Sequence, residues 1–242
     1  MALPDAILLA GGRGTRVAGL YPDVPKPLIP FHGRPFVEWL VRWLIKQGTR
    51  KIVLALGFGR EQIRSHFDND RYLAGDVQLT YSEETAPLGT GGALIKASRC
   101  LDSTHALVLN GDSICLIDVA RFVENHLATT LPAGMVCTGV DDVARFGAIE
   151  CEGENIASFV EKGTKTGPGL INGGIYCIES AMLQSQDVKP CSLEIELFPR
   201  WLSQFAVYAH QLEVPFIDIG TPESLQLAAS FLAANQIEIL GA

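Results

Sequence analysis

The sequence predicts an α/β protein, with a parallel sheet flanked by helices over residues 1–112 that passes into a mixed α+β half over residues 113–242. Three observations carry this. Apolar runs of strand length alternate with helical patterns from Asp5 to Leu109, short strands follow at close spacing after Asp112, and the strands ending near Ala10 and Leu109 both run into glycine-bearing turns. The 242 residues are 48% hydrophobic and 19% charged, with no linker, low-complexity tract or internal repeat, so a single domain with a substantial core is expected.

The elements follow in order. Asp5–Ala10 is an apolar strand that enters Gly11-Gly12-Arg13-Gly14. Prolines 22, 25, 27 and 30 fix φ and remove donors, so Tyr21–Phe31 is expected to be a stiff, extended, helix-free segment. Pro35–Gln47 reads as a helix, with Pro35 in the first position, Phe36, Leu40, Trp43 and Leu44 on one face, and Gly48 as its stop. Lys51–Leu56 is a strand, Gly59–Phe67 helical, Val77–Tyr81 extended, Thr90–Cys100 helical, and His105–Leu109 a buried strand that ends at Asn110-Gly111-Asp112. Asp118–Ala128 is a helix, followed by short strands at Ala133–Thr138, Gly147–Cys151, Ile156–Val160 and Leu170–Ile178. Ser192–Gln204 and Pro222–Asn235 close the chain as helices, the second with Thr221 as N-cap and Pro222 at the first helical position. Trp39, Trp43 and Trp201 fall where such helices face a core.

Charge and composition exclude several classes. A net charge of −8 and the absence of a basic run argue against nucleic acid or an anionic membrane as partner. Met1-Ala2-Leu3-Pro4-Asp5 has no cationic region, and the apolar run Ala6 to Ala10 is too short for a signal or a span, so a cytoplasmic protein is expected. Cysteines 100, 115, 137, 151, 177 and 191 show neither C-x-x-C pairing nor zinc spacing and read as small core residues in a reducing compartment.

The chemistry points to a phosphate cradle. Glycines 11, 12 and 14 let backbone N–H groups approach an anion closely, and Arg13, Arg16 and Lys26 bring a guanidinium fork and a compact ammonium to the same region. Neither common phosphate motif fits. The dinucleotide fingerprint would place Val17 at its third glycine, and no Gly-Lys followed by Ser or Thr occurs anywhere in the chain. Ligands of open α/β sheets bind at the carboxyl ends of the strands, where both Gly11–Arg16 and Asp112 fall. A carboxylate beside phosphates calls for a bridging cation, Mg²⁺ being the usual one, and Asp218 before Gly220 is a second carboxylate in a similar setting. The five histidines, 32, 66, 105, 126 and 210, show no paired spacing, Glu83-Glu84 reads as a solvated loop, and Gly91-Gly92 as a close approach of a helix start to the sheet.

Taken in order, Leu9-Ala10-Gly11-Gly12, Gly14-Thr15-Arg16, Pro25-Lys26-Pro27, Leu88-Gly89-Thr90-Gly91-Gly92-Ala93, Asn110-Gly111-Asp112, Glu161-Lys162, Asn172-Gly173-Gly174 and Asp218-Ile219-Gly220-Thr221-Pro222-Glu223 resemble the sugar-1-phosphate nucleotidyltransferases over nearly the whole chain. The wording of Gly33-Arg34-Pro35-Phe36 and Leu170-Ile171-Asn172 is most similar to the D-glycero-α-D-manno-heptose 1-phosphate guanylyltransferases within that family.

The resemblance implies a Rossmann-like three-layer α/β/α fold with a mixed sheet and a smaller sugar-binding α+β lobe. It also implies that a sugar 1-phosphate attacks the α-phosphorus of a nucleoside triphosphate, GTP by the closer likeness, releasing pyrophosphate. By the family pattern Leu9, Ala10, Gly11, Gly12, Gly14, Thr15, Gly89, Thr90 and Gly91 line the nucleotide, and Arg16 and Lys26 stabilise the triphosphate and the leaving pyrophosphate. Asp112 and Asp218 share the Mg²⁺, while Gly147, Glu161, Lys162 and Asn172 receive the sugar phosphate. A monomer or homodimer is expected. Two other classes stay open: a glycosyltransferase using Asp68-Asn69-Asp70 as its metal motif, and a non-catalytic nucleotide-sensing module.

Overall fold

The computed structural model describes residues 2–68 and 77–241. Strand β1 (Asp5–Leu9) starts the sheet, and a small hairpin of β2 (Pro30–Phe31) and β3 (Arg34–Pro35) leads into α1 (Phe36–Gln47). Then come β4 (Lys51–Leu56), α2 (Arg60–Asp68), β5 (Gln78–Glu83), α3 (Gly89–Ser98) and β6 (His105–Asn110). The second half holds β7 (Ser113–Cys115), α4 (Val119–Thr129), β8 (Ala133–Val140), β9 (Ala148–Glu152), β10 (Asn155–Val160), β11 (Gly169–Glu179) and α5 (Ser180–Gln184). It ends with α6 (Phe198–Leu202), β12 (Tyr208–Leu212), β13 (Phe216–Asp218), α7 (Pro222–Ala234) and α8 (Gln236–Leu240).

Nine of these strands form one mixed sheet in the order β5-β4-β1-β6-β11-β8-β12-β10-β9. Within it β1, β4, β5 and β6 are parallel to one another, as strand-helix alternation requires. The second half joins the same sheet through β11, which runs antiparallel to both β6 and β8.

Both faces of the sheet are covered. Along β1, Ala6 and Leu8 face a layer built by α1, α2, α4, α7 and α8, while Ile7 faces α3, α5 and α6, so successive side chains feed opposite cores. Trp39 and Trp43 fill the first core and Trp201 the second, as their positions predict. A small cluster of Val143, Ala148 and Ile171 underlies the loop between β8 and β9. Among the described residues no helix is long and apolar enough to cross a membrane.

Several expectations are corrected. Lys26 lies in a 3₁₀ turn over Lys26–Leu28, not in an extended segment: a proline early in such a turn gives up an N–H that had no partner anyway, and Leu28 N–H closes onto the Pro25 carbonyl at 2.7 Å. Pro35 caps α1 in extended geometry and pairs with Pro30, so the helix starts one residue later than predicted. Ser192–Gln204 is not one helix. Ser192 caps a π-helical turn over Leu193–Leu197, and only Phe198–Leu202 is α-helical, because Pro199 has no N–H to continue the turn before it. The short strands β2, β3, β7, β12 and β13 and the helices α5 and α8 escape the sequence pattern, which is weak over two to five residues. The other elements agree within a few residues at their ends, where fraying blurs any boundary.

Candidate active site

The glycine turn after β1 is shaped by its neighbours. The Phe58 N–H donates to the Gly11 carbonyl at 3.1 Å and the Gly111 N–H to the Leu9 carbonyl at 3.0 Å, locking the ends of β1, β4 and β6 together. A Cβ at Gly11 would stand 2.9 Å from both Glu84 Oε1 and Gly57 N, so only glycine fits there. Gly12, Arg13, Thr15 and Arg16 are exposed, and no atom lies within 4 Å of where a Gly12 Cβ would be, leaving the turn open to a ligand. Gly14 has φ +63° and a Cβ there would lie 2.6 Å from the Cβ of Lys26, so the lysine stem is laid directly over the turn.

Lys26 reaches from that turn to the end of β6. Its Nζ lies 2.7 Å from Asp112 Oδ2, with the lysine side chain 11% exposed and the aspartate 49%. Asp112 follows β6 through Gly111, where a Cβ would meet the Leu9 carbonyl at 2.4 Å. The chain then enters β7, which pairs with β13 so that Ser113 faces Asp218, and Ile219 N–H donates to the Asp112 carbonyl at 2.9 Å. This pairing brings the two predicted metal-holding carboxylates together from positions remote in sequence. Asp218 is 16% exposed and accepts from Gly220 N–H at 2.9 Å and from Arg145 Nη2 at 2.5 Å. A Cβ on Gly220 would lie 2.7 Å from Asp218 Oδ2 and 3.7 Å from Lys26 Nζ, so the ammonium that pairs with Asp112 stands across the Gly220 position from Asp218.

Carboxylates on adjoining backbone segments are hard oxygen donors of the kind a divalent cation takes while completing its shell with phosphate oxygens and water. Among the described residues no group of three or more His, Cys, Asp or Glu side chains could hold a metal by protein ligands alone.

Three of the sugar-phosphate candidates, Gly147, Glu161 and Lys162, meet on neighbouring loops. Gly147 has φ +81° and a Cβ on it would sit 2.6 Å from the Val160 carbonyl and 3.6 Å from Lys162 N, so the Arg145–Gly147 loop lies against Glu161-Lys162, whose side chains are exposed. Asn172 is half-buried on β11. Its Nδ2 donates to Tyr176 Oη at 2.8 Å and its Oδ1 accepts from Gly174 N–H at 2.8 Å, at a bulge in β11 where a Cβ on Gly174 (φ +74°) would strike Ser113 Oγ. Tyr176 is fully buried and its hydroxyl donates to Asn110 Oδ1 at 3.4 Å; burial, ahead of nearby carboxylates, pushes that hydroxyl well above its usual range.

Gly89, Thr90 and Gly91 do more packing than the sequence suggests. The N–H groups of Gly91 and Gly92 donate to the Cys191 carbonyl at 2.9 and 3.3 Å, and the Thr90 hydroxyl donates to Glu194 at 2.9 Å while accepting from Leu193 N–H at 2.8 Å. These glycines therefore bring the start of α3 against residues 189–194, not against the sheet.

Three features were missed. Glu84 is half-buried, not solvated: it accepts from Leu88 N–H at 2.7 Å beneath Gly11, and burial raises its carboxyl above the usual range. Arg145 carried no motif, although its place two residues before Gly147 was a usable signal. His126 and His210 meet in the core with ring nitrogens 3.5 Å apart, a pairing made by the fold and invisible in their spacing. Of the alternative motif Asp68-Asn69-Asp70, Asn69 and Asp70 lie outside the described residues.

Comparison with known proteins identifies the family. Residues 5–235 match the Nucleotidyl transferase family. The chain is 31% identical to the D-glycero-alpha-D-manno-heptose 1-phosphate guanylyltransferase of Aneurinibacillus thermoaerophilus over 93% of its own length and 96% of the relative's. It is 34% identical to the mannose-1-phosphate guanylyltransferase catalytic subunit beta of Drosophila melanogaster over 90% of its length, spanning 60% of that protein. HddC from Yersinia pseudotuberculosis superposes with a TM-score of 0.84 at 31% identity, covering 94% of this chain and 99% of that one, and the same protein has been solved complexed with GMP-PN at a TM-score of 0.83. The cleft built from the glycine turn, Lys26, Asp112 and Asp218 thus belongs to a chain that is a member of the nucleotidyl transferase family.

Proposed function

We propose that this protein transfers a guanylyl group from GTP to a sugar 1-phosphate, with D-glycero-α-D-manno-heptose 1-phosphate as the sugar, releasing pyrophosphate in the cytoplasm. The observation that carries the proposal is the convergence of Lys26, Asp112 and Asp218 beside an open glycine turn at the carboxyl ends of β1 and β6. Residues 1–112 mainly serve the nucleotide and residues 113–242 mainly the sugar.

The nucleophile is a phosphate monoester whose second pKa is near ~6, so it arrives charged at neutral pH and needs no general base. The obstacle is repulsion between anions, and the chain's task is alignment and charge stabilisation. The backbone of Leu9, Ala10, Gly11, Gly12 and Gly14, with Thr15 and the Gly89-Thr90-Gly91 segment, would line the nucleotide. Arg16 and the Lys26 ammonium would meet the triphosphate and the charge that develops on the departing pyrophosphate. Lys162 would hold the sugar phosphate, while Glu161, Asn172 and the Gly147 backbone read hydroxyls. Asp112 and Asp218 would hold a Mg²⁺, which when bound supplies a positive centre for the phosphates.

A mannose 1-phosphate substrate is the second reading, favoured by the 34% identity to the Drosophila protein over 90% of this chain. Pyrophosphate release measured for each nucleoside triphosphate against heptose, mannose, glucose and N-acetylglucosamine 1-phosphates separates them. Release with GTP and heptose 1-phosphate supports the first, and release with GTP and mannose 1-phosphate alone the second. A nucleotide-sensing module would release none.

A further inference from the structure

We propose that Arg145 is an exchange residue: it neutralises Asp218 while the sugar site is empty and moves its guanidinium to the incoming sugar phosphate, freeing Asp218 for the divalent cation. The inference rests on the reading of Asp218 as a metal-holding carboxylate.

Four observations lead to it. Arg145 Nη2 lies 2.5 Å from Asp218 Oδ1, and Gly220 N–H takes the other oxygen at 2.9 Å, so both Asp218 oxygens are engaged within the chain. Such an ion pair must loosen before a cation can take that carboxylate. Second, the arginine is 39% exposed, its Nη1 reaches Thr221 Oγ1 at 3.2 Å and its Cζ rides 4.2 Å from the Phe146 ring centroid, a flat support on which the fork can shift without losing its stacking partner. Third, Arg145 lies on the loop whose Gly147 abuts Lys162, so it joins the sugar-phosphate side of the cleft to the metal side. Fourth, the arrangement is doubled across the cleft, where Lys26 neutralises Asp112 at 2.7 Å.

The two ion pairs form a self-neutralised template. A dianionic phosphate offers Arg145 a bidentate partner of greater charge than Asp218, and a divalent cation offers Asp218 a partner of greater charge than Arg145. Each swap favours the other, so cation and sugar phosphate should bind cooperatively.

The test uses Mn²⁺ as a spectroscopic probe with the substrate-free protein. Mn²⁺ binding is measured by paramagnetic resonance for the wild type, Arg145→Met and Arg145→Lys, alongside thermal midpoints and kinetics with whichever sugar 1-phosphate the wild type turns over. Arg145→Met should bind Mn²⁺ roughly tenfold more tightly without substrate, as expected for removal of one charged hydrogen-bonded competitor, and should raise KM for the sugar 1-phosphate by a similar factor. Arg145→Lys should lie between the two, and adding sugar 1-phosphate should tighten Mn²⁺ binding to the wild type but not to Arg145→Met. If Arg145 merely braces the loop, Arg145→Met lowers the thermal midpoint while Mn²⁺ affinity and its response to sugar phosphate stay at wild-type values, and the proposal is overturned. A wild type that releases pyrophosphate alongside such a result defeats the exchange role alone. A wild type inactive with every substrate pair defeats the functional reading itself.

Discussion

The Lys26 ammonium rests 2.7 Å from the Asp112 carboxylate although 86 residues separate them in the chain. Gly14 leaves the space for the lysine stem, Pro25 and Pro27 hold the turn that bears it, and Gly111 turns the chain tightly against Leu9 to set the aspartate. The contact therefore reports whether the nucleotide turn and the end of β6 are correctly assembled.

Removing either partner should abolish efficient turnover. Lys26→Ala and Asp112→Ala are each expected to lower turnover at least ~100-fold, as for loss of a preorganised electrostatic contact. Their stabilities should differ. Asp112→Ala strands the more buried charge, so it should be the less stable of the two by thermal unfolding, while Lys26→Ala leaves a carboxylate that is 49% exposed and stays near the wild type. Near-normal turnover in either variant would remove the residue from the mechanism.

Gly14→Ala should act through Lys26. The substitution forces a side chain into left-handed backbone at a cost of about 1–2 kcal/mol and drives a methyl group to within 2.6 Å of the Lys26 Cβ. A fall in turnover of roughly tenfold or more with retained folding is expected, since small misplacements of an aligned group are costly. The exposed and unobstructed Gly12 is the control for folding, and Gly12→Ala should keep the thermal midpoint of the wild type.

The buried tyrosine that holds Asn172 gives a third test. Tyr176→Phe removes the oxygen that receives Asn172 Nδ2 at 2.8 Å, leaving a half-buried amide without its partner. Loss of about 1–2 kcal/mol, a few degrees in thermal midpoint, should accompany a raised KM for the sugar 1-phosphate with little change in that for the nucleotide. An unchanged sugar KM would place Asn172 outside the site.

The histidine pair makes stability depend on pH. Burial, and then a neighbouring imidazole, His105 for His126 and His126 for His210, lowers both rings from 6.5 to about 4. Above pH 6.5 the imidazoles are neutral in folded and unfolded chains alike. Between pH 6.5 and about 4 only the unfolded chain takes up protons, so stability falls with falling pH by up to ~1.4 kcal/mol per pH unit for each ring. Urea midpoints measured from pH 7.5 to 5 should drop, and the drop should be shallower in His126→Gln. Parallel curves for the two proteins would count against the pair as its source.

The fold and the site were unevenly legible in the sequence. The alternation of β1, α1, β4 and α2 could be read because each element is long enough to display its period, and Gly48 and Thr221 mark ends with strong local preferences. Thr221 does accept from Ser224 N–H, and the capping box closes reciprocally. The carboxylates at 112 and 218 were visible as residues at strand ends, but their adjacency depends on β7 and β13, three residues each, too short to announce themselves. The burial of Glu84 and the meeting of His126 with His210 are products of tertiary packing, for which local pattern carries no signal, whereas Arg145 stood next to a predicted site residue and only its reach to Asp218 needed the fold.

The central claim is guanylyl transfer to a sugar 1-phosphate through Lys26 and the Asp112–Asp218 pair. The most direct measurement is pyrophosphate release by the wild-type protein with Mg²⁺ across four nucleoside triphosphates and the heptose, mannose, glucose and N-acetylglucosamine 1-phosphates. Release is expected with GTP and heptose 1-phosphate, with loss of the signal when the divalent cation is chelated. A dominant preference for a uridine or thymidine triphosphate would contradict the guanylyl assignment, and the absence of pyrophosphate from every pair would contradict the reaction.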